Sequence, residues 1–238
     1  MAAKNDDLHG NVPDESDVVL LLIDVINDLQ FEGGERLLEQ ALPMAERLAR
    51  LKARARAVGI PTVYVNDNFG RWRSDLRSLV AHCLQEGAPG RPLVQRLLPD
   101  EQDYFVLKPK HSGFFSTTLD TLLTYLKAST LILAGITGDV CVLFTANDAY
   151  MRDFHLIVPA DGCISIDPQD NAYAVRQMRR ALKADVTPVA ELDLEGLVRR
   201  GPAGGRRATA GLEPQVEQHA AEPDVGEAGN ASARASGE

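Results

Sequence analysis

A chain of 238 residues, 45% hydrophobic and 25% charged, is long enough for one α/β domain with a full core and has an ordinary globular makeup. Its net charge of −9 argues against the clustered Lys/Arg of a nucleic-acid binder, and three widely spaced cysteines (Cys83, Cys141, Cys163) with no C-x-x-C pair argue against a disulfide framework or a cysteine zinc site. No apolar run reaches the roughly 20 residues that span a bilayer, and the polar start Met1-Ala-Ala-Lys-Asn-Asp-Asp lacks the layout of a signal peptide, so a cytoplasmic protein without membrane or nucleic-acid partners is expected.

Residues 1–16 read as a flexible lead-in. Asp17-Val-Val-Leu-Leu-Leu-Ile-Asp24 is a continuous apolar run bounded by acids, the pattern of a strand buried on both faces of a parallel sheet. Asp24 falls at its carboxyl end, where open α/β sheets bind ligands; the bland alternative is a solvated or capping Asp. Phe31-Glu-Gly-Gly-Glu35 reads as a loop. Leu42, Ala45, Leu48, Leu51 and Ala55 then give a helix over about 40–58, with Pro43 in its first turn and Gly59 ending it. Pro61-Thr-Val-Tyr-Val65 is the second strand. The polar loop after it holds Asn68, Phe69 and Trp72, either a substrate wall or a surface loop with an anchored aromatic.

Short helices are expected over 76–84 and 93–98, the first with Cys83 on its inner face. Tyr104-Phe-Val-Leu107 is the third strand, closed by Lys108. In the loop Pro109–Phe115 and the turn beyond it, Ser116 or Thr117 caps a helix, with Thr117 and Asp120 resembling a capping box. Leu119, Leu122, Leu123 and Leu126 form that helix's buried stripe. Thr130–Ala134 is the fourth strand and leads through Gly135-Ile-Thr-Gly-Asp-Val-Cys141 into a helix. His155–Asp161 reads as the fifth strand, Asp167-Pro168 opens a helix through Ala184, and Val186–Val189 reads as a sixth, edge strand because it holds Pro188. From Arg199 the apolar periodicity stops. The expected organisation is therefore one α/β domain over 17–198 and a disordered tail over 199–238. Alternating strands and helices imply an α/β fold: a three-layer α/β/α doubly wound sandwich with a mainly parallel six-stranded sheet.

Three reactive side chains share one end of that sheet. Asp24 ends the first strand, Lys108 the third, and Cys141 starts the helix after the fourth. A cysteine at a helix start is a nucleophile or a small buried core residue. A neighbouring ammonium lowers a thiol's pKa, and a carboxylate can take its proton and pass it to a leaving group. The trio thus has the parts for acyl transfer without histidine; the alternative is an unrelated ligand-binding α/β domain.

Three blocks carry a family resemblance. Leu22-Ile-Asp24-Val-Ile-Asn27-Asp28 is similar to L-I-D-x-Q-N-D-F, Leu107-Lys108-Pro-Lys-His-Ser112-Gly-Phe114 to K-x-x-x-S-A-F, and Gly135–Val142 with Thr145-Ala-Asn-Asp148-Ala to G-x-x-T-x-x-C-V-x-x-T-A-x-D-A. Over about residues 16–190 the chain resembles the isochorismatase-like cysteine hydrolases, which include nicotinamidases, N-carbamoylsarcosine amidases and ureidoacrylate hydrolases. The resemblance implies Asp24 as general acid/base, Lys108 as the thiolate-stabilising cation and Cys141 as nucleophile. It implies a cis peptide at Ile136–Thr137 that aims the Thr137 N–H at the site, forming an oxyanion hole with the Cys141 N–H.

The implied activity is hydrolysis of a C–N bond, amide or ureido, in a small molecule. Isochorismate (vinyl ether) hydrolysis and a non-catalytic binding module are the alternatives. Phe115 joins Asn68, Phe69 and Trp72 as an expected substrate contact. Gly138 stands where the family usually has threonine, which puts a local hydrogen bond in doubt, and Ile26 and Leu29 replace the common glutamine and phenylalanine. Nicotinamidases carry an Asp and histidines after the second strand. Here no histidine follows, so no metal and no cofactor are expected. Relatives assemble as dimers or tetramers, which makes a homo-oligomer the expectation.

Overall fold

Strand β1, Val18–Ile23, consists of six aliphatic residues, all buried. Burying each such side chain contributes about 1.5–3 kcal/mol, so this strand belongs at the sheet's centre. The structure, a computed structural model, describes residues 15–70 and 75–201. Trp72 lies outside the described residues, as do most of the expected lead-in and tail. Residues 15 and 16 are held in place: the Ser16 N–H donates to the Leu126 carbonyl at 2.8 Å and Glu15 pairs with Lys127.

The chain runs β1, α1 (Gly34–Ala57), β2 (Thr62–Asp67), α2 (Leu76–Cys83), α3 (Arg91–Arg96), β3 (Tyr104–Lys108), α4 (Leu119–Tyr125), β4 (Thr130–Ile136), a π-helical turn (Gly138–Val142), α5 (Leu143–Tyr150), β5 (His155–Ile157), β6 (Cys163–Ile164), α6 (Pro168–Ala181), a 3-10 turn (Val189–Glu191) and α7 (Leu194–Arg200). Five strands lie in the order β3-β2-β1-β4-β5, β6 pairs β4, and every pairing is parallel. Alternation along β1 divides the core into two layers. Val18, Leu20 and Leu22 pack with α1, α2 and α3; Val19, Leu21 and Ile23 pack with α4, α5 and α6. The chain winds outward from β1 to β3 and then returns to β4 on the other side of β1. Open α/β sheets bind ligands at such a reversal, at the carboxyl ends of the strands.

Four local expectations need correction. The first long helix starts at Gly34, not near Gln40, and Pro43 lies inside it. Burial of Leu37, Ala41, Met44, Ala45 and Leu48 along one stripe outweighs the hydrogen bond that proline forfeits. The helix opens where a Cβ on Gly34 would lie 2.0 Å from the Leu29 carbonyl oxygen, so only glycine fits. The fifth strand stops at Ile157, just before Pro159 removes a ladder donor.

Val186–Val189 is not a strand. Only Asp185 bridges to Ile157; the Thr187 N–H is taken by the Asp185 carboxylate at 2.9 Å, and Pro188 has no N–H. The sixth strand is β6 instead, pairing Cys163 and Ile164 with Gly135 and Ile136. The expected capping box also fails to form. Thr118 occupies the N-cap of α4 without a side-chain bond, while the Thr117 hydroxyl accepts the Leu119 N–H at 3.1 Å.

Candidate active site

Sheet register sets the first half of the site. Ile23 lies opposite Val65 on one side and Gly135 on the other, and Asp67 lies opposite Lys108. Gly135 has φ +132°, and a Cβ there would sit 2.0 Å from the Ile23 carbonyl oxygen. Its bare backbone is what lets β4 close on β1 at this level. The chain leaves β1 by a left-handed turn at Asp24 (φ 51°), whose N–H donates to the Val65 carbonyl at 2.9 Å. Lys108, closing the edge strand β3, brings its ammonium to the carboxylates that end β2 and follow β1. Its Nζ is 2.8 Å from Asp24 Oδ2, 3.5 Å from Cys141 Sγ and 3.6 Å from Asp67 Oδ2.

The turn after β4 supplies the thiol. The Ile136–Thr137 peptide is cis. The Thr137 carbonyl accepts the Val140 N–H at 3.3 Å and the Val142 N–H at 3.0 Å, the second bond closing the wide π turn that carries Cys141. The Cys141 N–H belongs to the first turn of this helical segment, where donors lack intrahelical acceptors. Thr145 Oγ1 donates to the Cys141 carbonyl at 2.7 Å and accepts the Gly113 N–H at 3.0 Å, tying the Lys108 loop to the cysteine helix. Ser112 is bonded to Asp148 across the same junction.

The electrostatics of the trio follow from its burial. Lys108 is fully buried and Asp24 is 5% exposed, while Cys141 is partly exposed. Burial pushes the Asp24 carboxyl up, opposed by Lys108 and by hydrogen bonds from Cys141, Lys108 and the Asp67 N–H. Burial pulls Lys108 down, but Asp24, Cys141 and Asp67 outweigh it and its pKa rises. Burial and the facing Asp24 push the Cys141 thiol up to about 12, against the pull of Lys108. Asp24 and Cys141 therefore each hold a proton more tightly than usual, beside one fixed cation. A proton can pass between thiol and carboxylate without leaving the site. This Cys/Lys/Asp cluster is consistent with a catalytic triad for amide hydrolysis.

The other expected contacts divide. Asn68 and Phe69 line a cavity of about 350 Å³ together with Asp28, Phe31, Asp67 and His82. The Asn68 side chain also accepts the Gly70 N–H at 2.9 Å, so part of its polarity serves its own loop. Phe115 is 54% exposed and does not line that cavity. His111 packs against Phe144 with the rings tilted by 54° and their centroids 5.4 Å apart. Among the described residues no group of three or more His, Cys, Asp or Glu side chains is placed to hold a metal ion.

Three residues at the site escape sequence reasoning. Asp67 donates its N–H to Asp24 Oδ1 at 2.6 Å and faces Lys108. Its signal was its place one residue before Asn68, at the same strand end. Ser165 Oγ accepts the Asp139 N–H at 3.1 Å and donates to Asn171 Oδ1 at 3.3 Å. Asn171 occupies the space beside Gly138, where a Cβ would approach its Oδ1 to 2.0 Å. The missing threonine at Gly138 thus coincides with a polar pair, Ser165 just after β6 and Asn171 in α6, which no local pattern announces.

Comparison with known proteins places this geometry among relatives. An isochorismatase domain matches residues 18–191. An uncharacterized isochorismatase family protein of Bacillus subtilis is 38% identical over 173 residues, 73% of this chain and 94% of that one. A ureidoacrylate amidohydrolase of Methylorubrum extorquens is 31% identical over 180 residues, 65% of this chain and 73% of that one. Among solved structures, an isochorismatase family protein from Desulfovibrio vulgaris superposes with a TM-score of 0.61 at 27% identity, covering 75% of this chain and 97% of that one.

Proposed function

The chain belongs to the isochorismatase family of hydrolases, and from that premise we propose that it cleaves a C–N bond of a small linear amide or ureido compound through a thioester on Cys141. The observation that carries this is the fully buried Lys108 ammonium, 2.8 Å from Asp24 Oδ2 and 3.5 Å from Cys141 Sγ. Asp24 takes the thiol proton as Sγ bonds to the carbonyl carbon. Lys108 stabilises the charge on sulfur, and the N–H groups of Thr137 and Cys141 receive the oxyanion. Asp24 then protonates the nitrogen, the C–N bond breaks, and the amine leaves. In the second half Asp24 takes a proton from water, the resulting hydroxide opens the thioester, and sulfur recovers the proton as the acid departs. The substrate's remote part would lie along the cavity wall of Asn68 and Phe69.

A thiol in contact with Lys108 favours acyl transfer over vinyl-ether hydrolysis, which needs an acid and no thiol. The test is ammonia release from a panel of small amides and ureido compounds. Cys141→Ala should lose at least about 10³-fold of any activity found. Full-rate hydrolysis by that variant would overturn the reading.

A further inference from the structure

We propose that Asp67 is a positioning residue of this site, dividing the charge of Lys108 between the reacting Asp24–Cys141 pair and a carboxylate that faces the substrate cavity. The inference rests on the reading of Cys141 as the nucleophile. Three groups surround the Lys108 ammonium: Asp24 from the end of β1, Asp67 from the end of β2 and Cys141 from the π turn. On its open side Asp67 lines the cavity with Asp28 and His82, which pair with each other at 2.8 Å. The Asp67 side chain is 32% exposed, against 7% for Asp24 and none for Lys108, so it is the carboxylate of the cluster that meets the cavity.

Its placement is rigid. Asp67 and Lys108 are register partners in adjacent strands, the Asp67 N–H holds Asp24 Oδ1 at 2.6 Å, and its Oδ1 accepts the Phe69 N–H at 2.6 Å. The main chain of Asp67 therefore orients the general base, while its side chain competes with sulfur for the ammonium. An ammonium shared in this way stabilises a thiolate less than an unshared one would. Removing the carboxylate while keeping the N–H separates the two roles.

The readout is the pH profile of Cys141 alkylation by iodoacetamide in the full-length chain, followed by peptide mass spectrometry. Buried Cys83 and Cys163 serve as internal references. Asp67→Asn and Asp67→Ser both keep the backbone donor, so either one that folds suffices. The alkylation midpoint should fall by about one pH unit in both, the size of effect a neighbouring charge exerts, and should return toward wild type in Asp67→Glu. A midpoint unchanged or raised in a folded variant would overturn the proposal, as would a lowered melting temperature with an unmoved midpoint, which marks a purely structural side chain. No turnover is involved, so a failed amide screen counts against the hydrolase reading alone.

Discussion

Among the described residues two lysines are buried, and they do opposite things. Lys52, on α1, donates to the Tyr64 hydroxyl at 3.1 Å, the Leu98 carbonyl at 3.1 Å and the Asp103 carboxylate, with Asp100 at 3.5 Å. Each of its three donors meets an oxygen. The Tyr64 hydroxyl in turn donates to the Leu97 carbonyl at 2.9 Å, and burial pushes its phenol pKa far up. Lys108 sits between two carboxylates and a sulfur, and sulfur is a weak acceptor. A buried cation whose donors all meet oxygen is a clamp. One left facing a weak, partly exposed acceptor holds electrostatic work in reserve for the reaction.

The contrast is easiest to break at Lys108. Lys108→Met should reduce amide hydrolysis by at least about 10²-fold, the loss seen when one preorganised transition-state donor is removed, and should raise the Cys141 alkylation midpoint. A fully active variant would reduce Lys108 to a second clamp. Lys52→Met should do the reverse. It leaves the buried Asp103 without its ammonium but still paired with Arg56 at 3.3 Å, at a cost of about 3 kcal/mol in urea unfolding, and leaves the Cys141 alkylation midpoint where it was. If that midpoint moved instead, the two lysines would belong to one network.

A smaller effect sharpens the comparison through pH. Asp24 has a folded pKa above its unfolded value, so the folded chain holds that proton more tightly. Its contribution to stability is fully present below the unfolded value and is lost as pH rises through the folded one. Asp24→Asn should flatten that downward segment of the stability–pH curve. Urea titrations at a series of pH values would read it, and an unchanged slope would mean that Asp24 is not the titrating group.

The two lysines also measure how much of the molecule was legible. Lys108 could be found because it closes an apolar strand, as Asp24 does, and strand ends in a parallel sheet converge. Lys52 could not: its partner Asp103 is 51 residues away, and nothing on the amphipathic face of α1 marks it apart from other exposed-looking lysines. Nothing in the sequence sets Asp67 apart from the other polar residues around the end of β2, because its role comes from register with Lys108. Val186–Val189 has the composition of a strand, but the Asp185 carboxylate takes its Thr187 N–H and Pro188 has none to give. The two-residue strand that replaced it is too short to leave a pattern.

The π turn at Gly138–Val142 bears on how such a sequence can drift. A five-residue turn amounts to a single-residue insertion into a helix, and it sets the rotational phase of Cys141 about the helix axis. Deleting one residue there could restore an unbroken α-helix with every backbone bond made. It would also swing the thiol by about 100°, one residue's share of a 3.6-residue turn, away from Lys108. Substitutions of the residues around Cys141 in this stretch alter chemistry by degrees, whereas a change of length abolishes the site in one step. Alignments of descendants should therefore show gaps elsewhere and a fixed count between Gly135 and Cys141.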